Sequence, residues 1–346
     1  MKWGSALQLD ACRVVCPGAM LALVTGANGF LGAQLARHLI AEGHRVRALV
    51  RPSSNLDLLE GLHFERALGD VTDEESVRSA ATGVDVIFHL AGVRRTPHPA
   101  DFGRINAGGT RHVLEAAAAQ ARPPRVVLAG SLSAMGPSEG ADRPLDESAP
   151  FRPVEAYGQS KVDAERLCQQ FASRVPVAIG RPPRVLGPGD RENLAFVKLV
   201  RRGLLLELEG GPRPLSMLDV EDCVRGFALL GTHPAAVGRT YFLTASDTIT
   251  IERIQEVAAE SLSWPIRRRV RVSPFSLRML ARGADVASKL TGRHLPLNKK
   301  LAEQLLAPAW TCSPERARRE LGFEARHTLV DSTARSCRWY VEKGWV

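Results

Sequence analysis

The stretch Leu21-Ala22-Leu23-Val24-Thr25-Gly26-Ala27-Asn28-Gly29-Phe30-Leu31-Gly32 constrains this chain more than any other. An apolar run of strand length ends at Thr25, three glycines follow with spacing Gly-x-x-Gly-x-x-Gly, and a helical pattern begins at once. Glycine at Gly26 permits a tight strand-to-helix turn, and at Gly29 it lets backbone approach a pyrophosphate where a Cβ would stand in the way. Gly32 lets the helix lie close on the strand. The free N–H groups at the helix start, with the helix dipole behind them, then face a diphosphate. Three glycines alone would equally suit an ordinary turn. The strand before them and the helix after make Gly26, Asn28, Gly29, Phe30, Leu31 and Gly32 the expected cradle of a dinucleotide.

Downstream, Leu31, Leu35, Leu39 and Ile40 keep a helical period that Gly43 stops. The pattern predicts strands at 46–50, 63–68, 84–92, 125–129 and 175–180, and helices at 106–120 and 155–174. Strands alternating with helices over this length mean an α/β fold with a doubly wound parallel sheet, the Rossmann arrangement, whose ligands sit at the carboxyl ends of its strands. The rhythm breaks at Arg181-Pro182-Pro183-Arg184-Val185-Leu186-Gly187-Pro188-Gly189. Beyond it, helices are expected at 193–202, 220–230, 251–261, 275–290 and 301–305, with a strand-like 241–243. The expected division is a dinucleotide-binding domain over 20–188, to which 215–245 returns. A smaller α+β substrate lobe is expected from 189–214 and 246–346.

A chain of 346 residues can bury a large core, and 45% hydrophobic with 24% charged residues is a globular composition. No apolar run approaches the ~20 residues of a membrane span. The net charge of +9 comes from scattered arginines with short clusters at Arg267-Arg268-Arg269 and Arg316 to Arg319, and aromatics are only 5%. That argues against a nucleic-acid surface, while a positive field can still draw in a phosphorylated cofactor or an anionic substrate. The six cysteines (Cys12, Cys16, Cys168, Cys223, Cys312 and Cys337) show no Cys-x-x-Cys spacing and no histidines at ligand spacing. No metal is expected, and reduced thiols and a cytoplasmic location are. Residues 1–19 lack the continuous apolar core of a signal peptide, and Met20 stands directly before the first strand. They are expected to be a dispensable extension from an over-long gene start.

Tyr157-Gly158-Gln159-Ser160-Lys161 opens the helix after the fifth strand. Tyrosine and lysine four apart share a helix face, and an ammonium beside a phenol favours the phenolate, which suits proton transfer near neutral pH. By itself the pair could be a surface contact; its place after the fifth strand of a nucleotide-binding sheet favours chemistry.

With these residues the chain resembles the extended short-chain dehydrogenase/reductases over about residues 20 to 345. The family's glycine turn is matched by Gly26, Gly29 and Gly32, and its catalytic Tyr-x-x-x-Lys by Tyr157 and Lys161. The resemblance implies a catalytic serine at Ser131, with Ser133 as rival, and a structural asparagine at Asn106. It implies that Ser131 holds the substrate oxygen, Tyr157 passes the proton, and Lys161 holds the ribose. It also implies cofactor contacts from Asp70 and Val71 beside the adenine, from Leu90, Ala91 and Gly92, and from Pro182 to Val185 at the nicotinamide. Asp70 could equally cap the helix from Glu74 onward. Members commonly dimerise through helices flanking the sheet, so a homodimer is the assembly the resemblance allows.

The second strand ends Ala48-Leu49-Val50-Arg51-Pro52-Ser53-Ser54, without the acid that binds a ribose 2′-hydroxyl. Arg51 with Ser53 and Ser54 suits a 2′-phosphate, so NADP(H) is expected over NAD(H). In Arg213-Pro214-Leu215-Ser216-Met217-Leu218-Asp219-Val220-Glu221-Asp222, if Val220-Glu221-Asp222 matches the turn of the similar sugar-nucleotide epimerases and dehydratases, Leu215 stands where they carry a phosphate-binding arginine, with Arg213 nearby but out of register. The segments 301–310 and 319–323 and the Trp339-Tyr340 and Gly344-Trp345 ending resemble the dihydroflavonol-reductase and 3β-hydroxysteroid-dehydrogenase branch. That branch exchanges hydride between a nicotinamide and a ketone or secondary alcohol on a bulky hydrophobic small molecule. The alternatives are a sugar-nucleotide epimerase or dehydratase with tightly held NAD, and a non-catalytic NADP(H)-sensing module. The basic amphipathic stretch 275–290 reads as a pocket lid, a membrane-surface foot or a core-packing helix.

Overall fold

The computed structural model describes residues 18–140, 142–291 and 298–346, with 289–291 described by their backbone alone. Cys12, Cys16 and nearly all of the amino-terminal extension lie outside the described residues. The strands, in chain order, are β1 (Leu21–Thr25), β2 (Arg45–Val50), β3 (Glu65–Leu68), β4 (Val86–His89), β5 (Arg125–Ala129), β6 (Val177–Arg181), β7 (Arg184–Leu186), β8 (Leu204–Leu208), β9 (Leu215–Asp219), β10 (Arg239–Phe242), β11 (Thr248–Ile249) and β12 (Arg268–Val272). The main sheet runs β10-β6-β5-β4-β1-β2-β3, and every pairing in it is parallel. Strand order reverses between β1 and β4, which makes the crevice at their carboxyl ends the ligand-binding position of this architecture.

Side chains of β1 alternate between two separate cores. Ala22 and Val24 pack with Leu35, Leu39, Val224, Phe227 and Leu230 of helices Phe30–Ala41 and Val220–Thr232. Leu21 and Leu23 pack with Val77, Val113, Leu114, Ala164 and Leu167 of helices Glu74–Ala81, Gly109–Ala118 and Ala156–Phe171. Both faces of the sheet are therefore covered, which is why its central strands are apolar throughout rather than alternating.

The remaining strands build a smaller lobe: β11-β9-β7 in one sheet and a parallel β12-β8 pair in another. Helices Leu194–Arg201, Ile251–Leu262 and Leu329–Glu342 pack around them through Val197, Val200, Ala258, Cys337 and Tyr340. The helix expected at 106–120 begins earlier, as a π-helical stretch Phe102–Gly108 that passes into Gly109–Ala118. Its wide turns carry no 3.6 period, so the apolar pattern does not register them. The arginine cluster at 267–269 leads into the edge strand β12, where Arg269 and Arg271 alternate with Val270 and Val272. No described helix is long and apolar enough to cross a membrane. The described cysteines are free and buried, and burial pushes the thiols of Cys312 and Cys337 up to about 12.

Candidate active site

The glycine turn is held by steric necessity. Gly26 has φ +70°, and a Cβ there would lie 2.8 Å from the Ala91 backbone at the end of β4. A Cβ on Gly32 would lie 2.1 Å from the Gly26 carbonyl oxygen. Gly29 is the N-cap of helix Phe30–Ala41; no side chain caps that end, and no acid stands in its first turn. The positive helix terminus is thus open toward the cavity described below, and this donor set fits a dinucleotide diphosphate.

Behind the turn runs a buried hydrogen-bond chain. The Ala91 N–H donates to Thr25 Oγ1 at 3.2 Å, and Thr25 Oγ1 lies 2.8 Å from His89 Nδ1. His89 Nε2 lies 3.1 Å from Thr110 Oγ1, which donates to the Asn106 carbonyl at 2.7 Å. That direction leaves His89 neutral, donating from Nε2 and accepting at Nδ1. Burial, then the positive Lys161, push its pKa down to about 3. The Asn106 side chain clamps both backbone groups of Val93, at 2.8 and 2.9 Å, and donates to Ser160 Oγ at 2.9 Å. Ser160 in turn donates to the Tyr157 carbonyl at 2.7 Å. Asn106 therefore ties the end of β4 to the helix that carries Tyr157 and Lys161.

Helix Ala156–Phe171 presents Tyr157 and Lys161 on one face, with Lys161 Nζ 5.8 Å from the Tyr157 ring centre. The buried Lys161 donates to the Ala129 carbonyl at 2.6 Å, where β5 ends. Ser131 follows that strand and caps the short 3₁₀ turn Leu132–Ala134, its Oγ accepting the Ser133 N–H at 3.1 Å. Its hydroxyl proton remains available for a ligand oxygen. The Phe102 ring meets Tyr157 edge-on at 6.4 Å.

A cavity of about 880 Å³ runs from the glycine turn across the strand ends into the smaller lobe. Gly26, Asn28, Gly29, Phe30, Leu31, Gly32, Leu90, Gly92, Ser131, Ser133, Tyr157, Lys161, Pro182 and Val185 all line it. Arg51, Ser54, Asp70, Val71, Ala91 and Asn106 are not among the lining residues. Arg51 stands exposed with Nη1 3.8 Å from Asp70 Oδ2, and Ser54 Oγ accepts the Arg51 N–H at 3.1 Å. Asp70 accepts from the Thr72 N–H and hydroxyl at 2.9 and 2.8 Å, whereas Asp73 caps the helix from Glu74. The Asp70 carboxyl is lowered: its partial burial, which acts to raise it, is outweighed by the Thr72 hydrogen bonds and Arg51. Val71 is buried against Gly109.

Several lining residues were not anticipated from sequence. Asn55, Asp57 and Leu58 border the end near Arg51, and Trp339 and Trp345 arrive from the carboxyl terminus. Asn55-x-Asp57 is a recognisable Asx turn, since Asn55 Oδ1 accepts the Asp57 N–H at 2.7 Å. The polar wall is built around Glu192, which takes both Arg94 and Arg95 at 3.0 and 2.8 Å. Beside it, burial raises the Asp190 carboxyl, which accepts from Asn193 at 3.1 Å and the Tyr340 hydroxyl at 3.3 Å. Burial also raises the Glu155 carboxyl next to Tyr157. Away from the cavity, Asp219, Glu221 and His327 approach one another, but Arg335 binds the first two at 2.6 and 2.7 Å and makes the group an ion-pair network.

Fold and site together define a Rossmann-type dinucleotide protein whose cavity gathers a serine, a tyrosine and a lysine at the strand ends. The model of the NAD dependent epimerase/dehydratase family matches residues 22–243. Sterol demethylase protein B of Methylococcus capsulatus is 30% identical over 340 residues, 94% of this chain and 100% of that one. Ceramide reductase of Caulobacter vibrioides is 27% identical over 335 residues, 93% of this chain and 95% of that one. The 3β-hydroxysteroid dehydrogenase/Δ5→4-isomerase of Mycobacterium tuberculosis is 30% identical over 344 residues, covering 92% and 90%. Among solved structures, a dTDP-glucose 4,6-dehydratase from Streptomyces venezuelae with NAD bound superposes with TM-score 0.74 at 23% identity, covering 94% of this chain and 98% of that one. The chain belongs to the NAD-dependent epimerase/dehydratase family, the extended short-chain dehydrogenase/reductases, and is an NAD(P)-dependent oxidoreductase.

Proposed function

We propose that this oxidoreductase interconverts a ketone and a secondary alcohol on a bulky hydrophobic molecule and uses NADP(H). The observation that carries the substrate class is the wall facing the lobe. Met217, Leu301, Leu305, Trp310, Trp339 and Trp345 line that end of the cavity, with Leu215 beside them. Such side chains can desolvate an apolar body, while Arg213, Ser216 and Gln304 of the same cavity leave it some polar groups. The names of the sterol, ceramide and hydroxysteroid relatives point the same way.

A nicotinamide bound along Gly92, Pro182 and Val185 would supply or accept the hydride. Ser131 donates a hydrogen bond to the substrate oxygen, and Tyr157 gives that oxygen its proton in reduction and takes it in oxidation. Lys161, fixed by the Ala129 carbonyl, holds positive charge behind Tyr157 and reaches the ribose. Asn106 acts through Val93 and Ser160 and is a positioning residue. Arg51, with Ser53 and Ser54 at the end of β2, receives a 2′-phosphate, its loose 3.8 Å pairing with Asp70 being readily exchanged. Tyr157→Phe is the test. Turnover of hydrophobic ketones should fall by at least about a thousandfold, with NADPH affinity nearly unchanged by fluorescence titration. Equal loss of both would make Tyr157 structural and overturn the assignment.

A second reading, a sugar-nucleotide epimerase or dehydratase, draws support from Arg213. This arginine lines the same cavity and donates to the main-chain carbonyls of Leu208, Glu209 and Gly211 rather than to a carboxylate. Tightly retained NAD(H) that does not exchange in the purified protein would favour it. An empty site that prefers NADPH supports the reductase.

A further inference from the structure

Helix Pro274–Thr291 is apolar on two faces. Leu277 and Ala281 are buried against Leu208 and against Ala302, Leu305 and Leu306 of helix Lys299–Leu306. On the opposite side Phe275 is 73% exposed, Leu280 60%, Val286 57% and Met279 47%. At 100° per residue Phe275, Met279, Gly283 and Val286 form one stripe with Leu280 on its border. A contiguous exposed apolar face of this kind marks an interaction surface.

The charges around it select the partner. Arg269, Arg271 and Arg278 are neutralised by Glu256, Glu207 and Glu303. Arg282 on the flank of the stripe is exposed and acts, together with Arg278 and Lys299, on the single acid Glu303, while Arg267 and Arg268 where the chain enters β12 are exposed with no ion pair among the described residues. Asp285, the helix's only acid, accepts the Lys299 N–H at 3.1 Å. An apolar stripe on a segment whose arginines and lysines outnumber its acids is complementary to a bilayer with anionic headgroups, whereas a second copy of the same face would oppose like charges. Since no described helix can span a bilayer, the contact would be peripheral.

We propose that this face docks the protein on an anionic lipid surface. The helix beneath it turns Leu301, Gln304 and Leu305 toward the cavity, so docking sets the substrate end one helix away from the lipid. That consequence rests on the hydrophobic-substrate reading; the docking itself does not.

Flotation of the full-length protein with vesicles of phosphatidylcholine, alone or mixed with phosphatidylglycerol, tests the proposal without any substrate. Partitioning is expected only onto the anionic vesicles and should weaken in high salt. Arg267→Glu, Arg268→Glu and Arg282→Glu should each lower it by roughly fivefold or more. Phe275→Ser with Leu280→Ser should lower it more than tenfold, at unchanged NADPH affinity as the folding control. No partitioning of the wild type, or variants that float like it, would overturn the proposal. A wild-type dimer that the double variant converts to monomer, without vesicle binding, would overturn it in favour of self-association.

Discussion

His89→Gln is expected to flatten the acid limb of the stability curve. His89 is 1% exposed and hydrogen-bonded at both ring nitrogens, and burial with the nearby Lys161 charge moves its pKa from 6.5 down to about 3. A base with a depressed folded-state pKa binds its proton in the unfolded chain first. The stability it allows is complete above about pH 6.5 and drains away as pH falls toward about 3. At about pH 5 the unfolded imidazole is roughly 1.5 units below its pKa, which corresponds to ~2 kcal/mol lost relative to neutral pH. Glutamine cannot titrate, though it sacrifices about 1–3 kcal/mol at neutral pH through imperfect replacement of the two buried hydrogen bonds. Urea unfolding of wild type and variant at about pH 7.5 and about pH 5 gives the double difference. The wild type should lose ~2 kcal/mol more than the variant between those conditions. Equal losses would refute a neutral, desolvated His89 and with it the proton arrangement assigned to the chain from Thr25 to Asn106.

Three further outcomes follow from the same geometry. Ser131→Ala should lower kcat by about a hundredfold or more and Ser133→Ala by less than about tenfold; the opposite order in steady-state kinetics would transfer the role to Ser133. Arg51→Glu should weaken NADPH binding by roughly a hundredfold while leaving NADH within a few-fold, and an unchanged NADPH affinity would sink the 2′-phosphate assignment. Glu165→Gln should cost about 3–5 kcal/mol in denaturant unfolding. It strands Arg181, 4% exposed, whose Nε and Nη2 now donate to Glu165 at 3.1 and 2.7 Å. A loss below about 1 kcal/mol would mean the pair is relieved by solvent.

The parts of the protein that were legible are those where one residue type satisfies a local requirement. A Cβ 2.8 Å from Ala91 or 2.1 Å from the Gly26 carbonyl admits no residue but glycine, so the turn announces itself at Gly26 and Gly32. Tyr157 and Lys161 are legible because a spacing of four on a helix is a distance in space. The central strands of the main sheet were legible because strands buried on both faces are plain apolar runs. Where backbone geometry departs from the standard periods the signal fails, as in the π-turns that carry Asn106. In β8 it fails differently: Leu204-Leu205-Leu206-Glu207-Leu208 has neither alternation nor helical spacing to decide between elements.

The aromatic wall of the cavity was illegible because its geometry is made by residues far apart in the chain. The Tyr340 hydroxyl meets Asp190 across 150 positions, and the Trp345 ring stacks parallel to Tyr340 at 6.0 Å with the Arg191 guanidinium 4.8 Å from its centre. All of these contacts converge on the loop at 187–193, which also supplies Glu192 to Arg94 and Arg95. The same loop touches the glycine-turn half, since a Cβ on Gly189, at φ +97°, would lie only 3.3 Å from the Phe30 ring. One short segment therefore packs against the glycine turn on one side and anchors the aromatic wall on the other. A larger residue at Gly189 would strain its backbone and press on Phe30 together. The two halves of the cavity meet at that seam, although each was written in the sequence by a different kind of rule: the glycine turn by a local steric requirement, the aromatic wall by contacts between distant segments.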